Sequence, residues 1–175
     1  GRCDMKKVLV ILAPGFEEIE AITVVDILRR AGARVFMAGT EAGPIVGSRG
    51  VSVVPDGLLE LVNSDEYDMV VLPGGMPGTT NLQNNSRVLD IVARMNAGKM
   101  LVAAICAAPI VLQTAGILEN KRITSHPSVK DKLIDVDYSE DRVVVDGNII
   151  TSRSPGTAME FALKLVEILF DKERV

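Results

Sequence analysis

Tryptophan is absent, and four Phe and two Tyr leave aromatic residues at 3% of a 175-residue chain. Stacking of nucleobases on aromatic platforms therefore has little to work with. The 19 Lys and Arg are outnumbered by 23 Asp and Glu, for a net charge of −4, so there is no basic excess to attract nucleic acid or an anionic membrane. No apolar run approaches the roughly 20 residues that cross a bilayer, and the N-terminus lacks the parts of a secretory signal. A cytoplasmic-type protein without nucleic-acid or membrane partner is the expectation. Histidine occurs once and cysteine twice. Cys3 lies in "GRCD", which precedes Met5 and reads as a tag remnant, residues 1–4. Setting it aside leaves Cys106, which cannot close an intrachain disulfide and offers with one histidine no zinc spacing. "GGMPG" (74–78) is not a dinucleotide fingerprint and no GxxxxGK[ST] occurs, so no nucleotide or other cofactor is expected.

The chain does hold short apolar runs closed by turn residues, at 6–13, 33–39, 68–75 and 100–105. Such runs suit strands buried on both faces of a parallel sheet. Between them, 17–31 and 86–97 carry helical spacing and end at Gly32 and Gly98, glycine being the residue expected just past a helix. This alternation predicts a three-layer α/β/α sandwich in a single domain, residues 5–175. Residues 43–57 read as a small β excursion, and Asp146-Gly147 within 142–152 as a tight hairpin turn. A last helix over about 157–170 aligns Glu160, Lys164, Glu167 and Asp171 on one polar stripe.

In open parallel sheets, ligands bind outside the carboxyl ends of the strands. Four segments are delivered there: "PGFEEIE" (14–20), Gly74-Gly75, Cys106 and Ser125-His126-Pro127. A strand that stops at Cys106 and restarts as a helix with Pro109 in its first turn resembles a nucleophile elbow. The helix N-terminus is expected to favour the thiolate and lower its pKa, although a small buried hydrophobe is the alternative at that position. At ~100° per residue, Glu17 and Glu20 share a face with Val24, Ile27, Leu28 and Ala31, while Glu18 points elsewhere. Glu17 suits the helix N-terminus. Glu20 is then either a carboxyl buried beside the thiol, with its proton retained, or a solvated first-turn residue. Gly74-Gly75 is a flexible turn or a place of close approach, where the Gly75 and Ala107 N–H groups hold an oxyanion. His126 is the one imidazole available for a relay, or a structural residue before proline. Arg49 and Arg153 either orient anionic substrate groups or are solvated. Ile19, Ile22 and Val25 on the other face of the first helix predict a second contact surface and hence a homodimer.

"VLVILAPGFEEIEAITVVDILRRAGARV", "VVLPGG", "AAICAAP", "ITSHPSVKDKL" and "TSRSPGTAMEFAL" together resemble the Parkinsonism-associated protein deglycase (DJ-one) family. That family sits within the PfpI-like, class I glutamine-amidotransferase-like superfamily, and the similarity covers residues 5–170. The resemblance implies a flavodoxin-like homodimer with an oxidation-sensitive cysteine at the elbow. It also implies Glu20 rather than Glu17 as the protonated carboxyl on the sulfur, His126 as the nearby histidine, and Gly75 and Ala107 as backbone donors. Protease-like members follow the nucleophile with histidine, where this chain has Ala107, and amidotransferases carry a His-x-Glu pair where Ser128 follows His126 and Pro127. Neither activity is expected. Ala108 replaces the glycine of the usual "CAGP" and is expected to narrow the pocket. The chain stops short of a further C-terminal helix of several relatives, which is expected to open the entrance.

These features predict a cofactor-independent cysteine enzyme acting on a small dicarbonyl such as methylglyoxal, or on its early adducts with amines and thiols. Glyoxalase and deglycase chemistry need the same groups and are not separated. A redox sensor or stress chaperone working through Cys106 sulfinate is the alternative, and a binding domain with a buried thiol the third reading.

Overall fold

The computed structural model describes residues 5–170. Its elements are β1 (Lys7–Leu12), α1 (Glu18–Arg30), β2 (Arg34–Gly39), β3 (Ile45–Val46), β4 (Ser52–Val53), β5 (Gly57–Leu58), β6 (Met69–Leu72) and α2 (Gly78–Gln83). They continue as α3 (Ser86–Ala97), β7 (Leu101–Ile105), α4 (Pro109–Thr114), β8 (Arg122–Ile123), β9 (Asp137–Tyr138), β10 (Val143–Asp146), β11 (Ile149–Ser152) and α5 (Ala158–Leu169).

Seven strands form the central sheet in the order β10-β11-β7-β6-β1-β2-β5. Every neighbouring pair is parallel except β10 with β11. Strand residues alternate between two cores because successive side chains leave opposite faces. Val8, Val10 and Leu12 pack with Val24, Leu28, Phe161 and Leu165 of α1 and α5. Leu9 and Ile11 pack with Val88, Ile91, Val111 and Leu112 of α3 and α4. Both faces being covered explains why β1 reads as an unbroken apolar run. The architecture is the expected flavodoxin-like three-layer sandwich, a single domain with a mostly parallel sheet. Among the described residues, no helix is long and apolar enough to cross a membrane.

Several local readings shift. The excursion at 43–57 contains the antiparallel β3–β4 pair and then β5, which joins the main sheet beside β2. The late hairpin pairs Asp146 with Ile149, so its turn is centred on Gly147-Asn148, with Gly147 at φ 59°. Gly32 is left-handed at φ 96°, as a residue past a helix often is. Gly98 is not: the left-handed residue after α3 is Lys99, φ 60°, one position later. On α5, Glu160 pairs with Arg142 and Lys164 with Glu167; Asp171, like the 1–4 segment with Cys3, lies outside the described residues.

Candidate active site

The parallel strands β1, β6 and β7 run side by side, so the segments following them meet at one edge of the sheet. Immediately after β7 the chain turns sharply at Cys106, whose φ is 67°. A non-glycine residue in this left-handed region costs roughly 1–3 kcal/mol and persists only where its surroundings fix it. They do so through both backbone polar groups: Cys106 N–H donates to Ser152 O at 3.0 Å, and Cys106 O accepts from His126 N–H at 2.7 Å. Pro109 opens α4 three residues later, where its missing N–H is no loss. The thiol stands half-buried at the turn rather than sealed in the core.

Glu20, in the first turn of α1, is fully buried. Its Oε1 accepts from Gly74 N–H at 2.8 Å, whereas Oε2 has no well-aligned partner. A buried carboxyl oxygen without a donor is where a proton is best kept. Burial, with a smaller contribution from the charge of Glu17, pushes Glu20 up to about 7 against the opposing Gly74 N–H and Cys106 thiol.

Cys106 departs from the sequence expectation. Its thiol is pushed up to about 12, first by burial and then by the charge and hydrogen bond of Glu20, while Ala107 and Gly75 N–H groups pull it down. The adjoining carboxyl, which sequence periodicity did not weigh against the helix terminus, outweighs those donors. Two of the three upward causes require an ionised Glu20. The two groups therefore titrate as a coupled pair, the first proton leaving far more readily than the second. The single charge reaches sulfur when the remaining proton sits on the carboxyl.

The glycine pair is demanded by space. A Cβ on Gly74 would come 2.7 Å from Cys106 Cβ and 2.9 Å from Glu20 Oε1. On Gly75, at φ 89°, it would come 2.5 Å from Glu17 N. Glu17 N–H in turn donates to Gly74 O, and Gly78 N–H to Gly15 O, tying the β1 and β6 turns together beneath the thiol.

Glu17 caps α1, accepting from Ile19 N–H at 3.2 Å. Glu18, which periodicity turns away from the site, is in fact buried and holds the loop after β3. It accepts from Arg49 N–H at 2.8 Å, Val51 N–H at 3.1 Å and Ser48 Oγ at 3.3 Å. These bonds hold its carboxyl below the usual range despite burial. The helical wheel missed this because the loop folds over the outer side of α1's first turn. The Arg49 side chain on that loop is exposed.

His126 is beside Cys106 through its backbone. Its Nδ1 accepts from Ser128 N–H at 3.1 Å and lies 2.7 Å from Ser128 Oγ, so the neutral ring carries its proton on Nε2. Arg153 Nε donates to Ser125 O at 3.1 Å and Nη1 to Glu140 O at 3.2 Å. A cleft of about 310 Å³ lies between His126, Pro127, Arg142 and Arg153. Ala108 does not narrow a pocket as expected: it is fully buried among Val111, Leu112 and the α3 side of the core. The structure thus brings together Glu20, Gly74, Gly75, Cys106, Ala107 and the His126 backbone, with Arg49 and Arg153 on flanking segments. Among the described residues, no three His, Cys, Asp or Glu side chains converge to hold a metal ion.

The DJ-1/PfpI family model matches residues 6–168. Protein dj-1beta of Drosophila melanogaster is 50% identical over 173 residues, covering 97% of this chain and 92% of that protein. Its crystal structure superposes with a TM-score of 0.95 at 48% identity, covering 98% and 94% of the two chains. The oxidised DJ-1 of Toxoplasma gondii gives a TM-score of 0.92 at 42% identity over 97% and 93%. A Caenorhabditis elegans relative named glutathione-independent glyoxalase DJR-1.2 is 39% identical over 172 residues, 97% of this chain and 91% of that protein. Match length, identity and superposition agree, and the chain belongs to the DJ-1/PfpI family.

Proposed function

We propose that the protein is a cofactor-independent glyoxalase that converts methylglyoxal and similar small dicarbonyls to 2-hydroxy acids. The observation that carries this reading is the buried Glu20 carboxyl, anchored by Gly74 and interacting with the Cys106 thiol. It is a thiol and a proton carrier with an apparent value near neutrality, where acid–base catalysis works best. The relative named as a glyoxalase supports it.

Cys106 thiolate adds to the aldehyde carbon and the Glu20 proton goes to the new oxyanion, giving a hemithioacetal. Glu20, now a carboxylate, removes the proton on the former aldehyde carbon, and an enediol forms. Reprotonation at the neighbouring carbon leaves a thioester of the 2-hydroxy acid. One carbon is oxidised and its neighbour reduced, so no external electron acceptor is needed. Water then cleaves the thioester, releasing lactate from methylglyoxal and restoring the thiol. Gly75 and Ala107 N–H groups stabilise the oxyanions, and the Nε2–H of His126 serves as a donor at the hydrolytic step. Deglycation uses the same adduct with an amine as leaving group. Arg49 steadies anionic product at the rim.

The test is product analysis with free methylglyoxal and with a pre-glycated amine, for wild type and Cys106→Ala. Lactate from the free dicarbonyl, lost in Cys106→Ala with the fold intact, is expected. Lactate formed equally by the variant overturns the mechanism, and release of amine from the glycated substrate alone assigns deglycation.

A second reading is favoured by the half-exposed sulfur beside a carboxyl that retains its proton, and by the oxidised state of the Toxoplasma relative. Two equivalents of peroxide convert the thiolate to sulfinate with release of two waters, and Glu20 donates to a sulfinate oxygen. Mild peroxide then adds two oxygens to Cys106 before the seven methionines are touched, as mass spectrometry would read. Ile19 and Ile22 on α1, 55% and 40% exposed, and neighbouring Val46 and Val51 support pairing with a second copy of the chain, which sedimentation by analytical centrifugation tests; Val25, expected on the same face, is instead buried in the core.

A further inference from the structure

The strained backbone of Cys106 rests on two supports from distant segments, Ser152 O at the end of β11 and His126 N–H in the loop after β8. Ser152 is held in the central sheet, paired with Ile105 and Val143, whereas the His126 support has less behind it. β8 pairs with β9 outside the central sheet, and the chain leaves regular structure after Ile123.

Two side chains link the supports: Thr151 Oγ1 of β11 accepts from Thr124 N–H at 2.9 Å, and Arg153 stands one residue beyond the first support. Arg153 reaches from the end of β11 to Ser125 O with Nε and to Glu140 O with Nη1. The same Ser125 carbonyl accepts from Tyr138 Oη at 3.0 Å, and Tyr138 belongs to β9. On the β11 side, Ser152 Oγ donates to Arg142 O and lies 2.7 Å from Thr157 Oγ1, which also accepts from Arg153 N–H at 3.2 Å. Ser125 is fully buried, so a carbonyl there deprived of donors is costly.

We propose that Arg153 and Tyr138 are positioning residues that lock the Cys106 elbow, by clamping the Ser125 carbonyl so that His126 N–H stays on the Cys106 carbonyl. This rests on the reading of Cys106 as the reacting thiol. Arg153 acts through the backbone and touches no substrate in this role. The alternative, that its guanidinium binds an anionic substrate group, makes the opposite kinetic prediction, because binding lost equally in ground and transition states raises KM and spares kcat.

The test is the rate at which Cys106, read by peptide mass spectrometry, is alkylated by neutral iodoacetamide in wild type, Arg153→Met, Arg153→Lys and Tyr138→Phe. Methylglyoxal kcat and KM are measured alongside. Arg153→Met is expected to slow alkylation and lower kcat by about tenfold, the scale of one charge-assisted hydrogen bond, with KM unchanged. Tyr138→Phe gives a smaller loss of the same kind, and Arg153→Lys restores part of the rate because one donor again reaches Ser125 O. If Arg153→Met unfolds, Tyr138→Phe decides, since it removes a single hydroxyl. Wild-type alkylation faster than that of an AAICAAP peptide, with unchanged rates in the variants or an effect confined to KM, overturns the clamp alone. Wild-type alkylation no faster than the peptide overturns the activated-thiol reading and the clamp with it.

Discussion

Replacing Glu20 by glutamine isolates the proton that the Glu20–Cys106 pair holds. Gly74 N–H needs an acceptor, so the new amide places its carbonyl oxygen there and turns its NH₂ towards the sulfur. Shape and one hydrogen bond are retained while the charge and the titratable proton disappear. Two unit charges ~4 Å apart interact by about 4 kcal/mol at an effective dielectric constant near 20, which corresponds to about three decades in an acid constant. The wild-type thiol is pushed up to about 12 in part by that charge. In Glu20→Gln, its acid dissociation constant should rise about a thousandfold over the second wild-type step, and the step near 7 should vanish. Turnover should nonetheless fall by about 10²- to 10⁴-fold, because an amide neither delivers nor accepts the proton. The assay pairs ultraviolet thiolate titration with lactate formation on the same samples. A variant that makes its thiolate more readily yet turns over within about tenfold of wild type refutes Glu20 as the proton carrier. An unchanged titration near 12 refutes the contact itself.

Glu20 also sets a pH dependence of stability. Its carboxyl rises from 4.5 to about 7 on folding, so between those values the folded chain binds more protons than the unfolded one. The stabilisation is complete below about 4.5 and is lost as pH rises through about 7, by at most ~3 kcal/mol; thermal unfolding should show this slope in wild type relative to Glu20→Gln. Glu18→Ala leaves the Arg49 and Val51 N–H groups without their acceptor, so hydrogen exchange at those amides should accelerate while core strands are unchanged. Gly75→Ala forces a Cβ to within 2.5 Å of Glu17 N at a positive φ; a loss of about 3 kcal/mol or more by denaturant unfolding is expected. Phe161→Ala removes a fully buried ring between α5 and the sheet and should cost about 3–5 kcal/mol in the same measurement.

What the sequence made legible follows the range of the forces involved. Sheet strands buried on both faces announce themselves locally, and β1, β2, β6 and β7 all fall within the apolar runs. Helix α3 occupies the range its periodicity predicts, 86–97. Convergence of Glu20, Gly74-Gly75 and Cys106 follows from parallel topology, because side-by-side strands deliver their successors to one edge; His126 instead follows β8, which lies outside the central sheet, and is brought in by its N–H on Cys106 O. Glu18 was not legible, since its buried state is created by a loop some thirty residues away that supplies three donors. Nor was the hydrogen bond from Arg153 to the Ser125 carbonyl, because a guanidinium bonded to a carbonyl and one awaiting an anion are the same letter in the same kind of loop.

The pKa of Cys106 is the most instructive of these differences. A helix N-terminus acts within one turn and can be read from Pro109 and the end of a strand, so sequence reasoning credits it in full. The opposing influences are burial and a carboxylate reaching over from α1, both products of packing. Structure therefore changes the mechanism and not merely a number. A free, strongly acidic thiol would need no partner to become a nucleophile. One whose charge is shared with Glu20 reaches the reactive form only when the proton lies on the carboxyl, which is also where the oxyanion of the proposed hemithioacetal needs it. The feature that raises the thiol is the one that supplies the acid, and a mutation relieving the first must abolish the second.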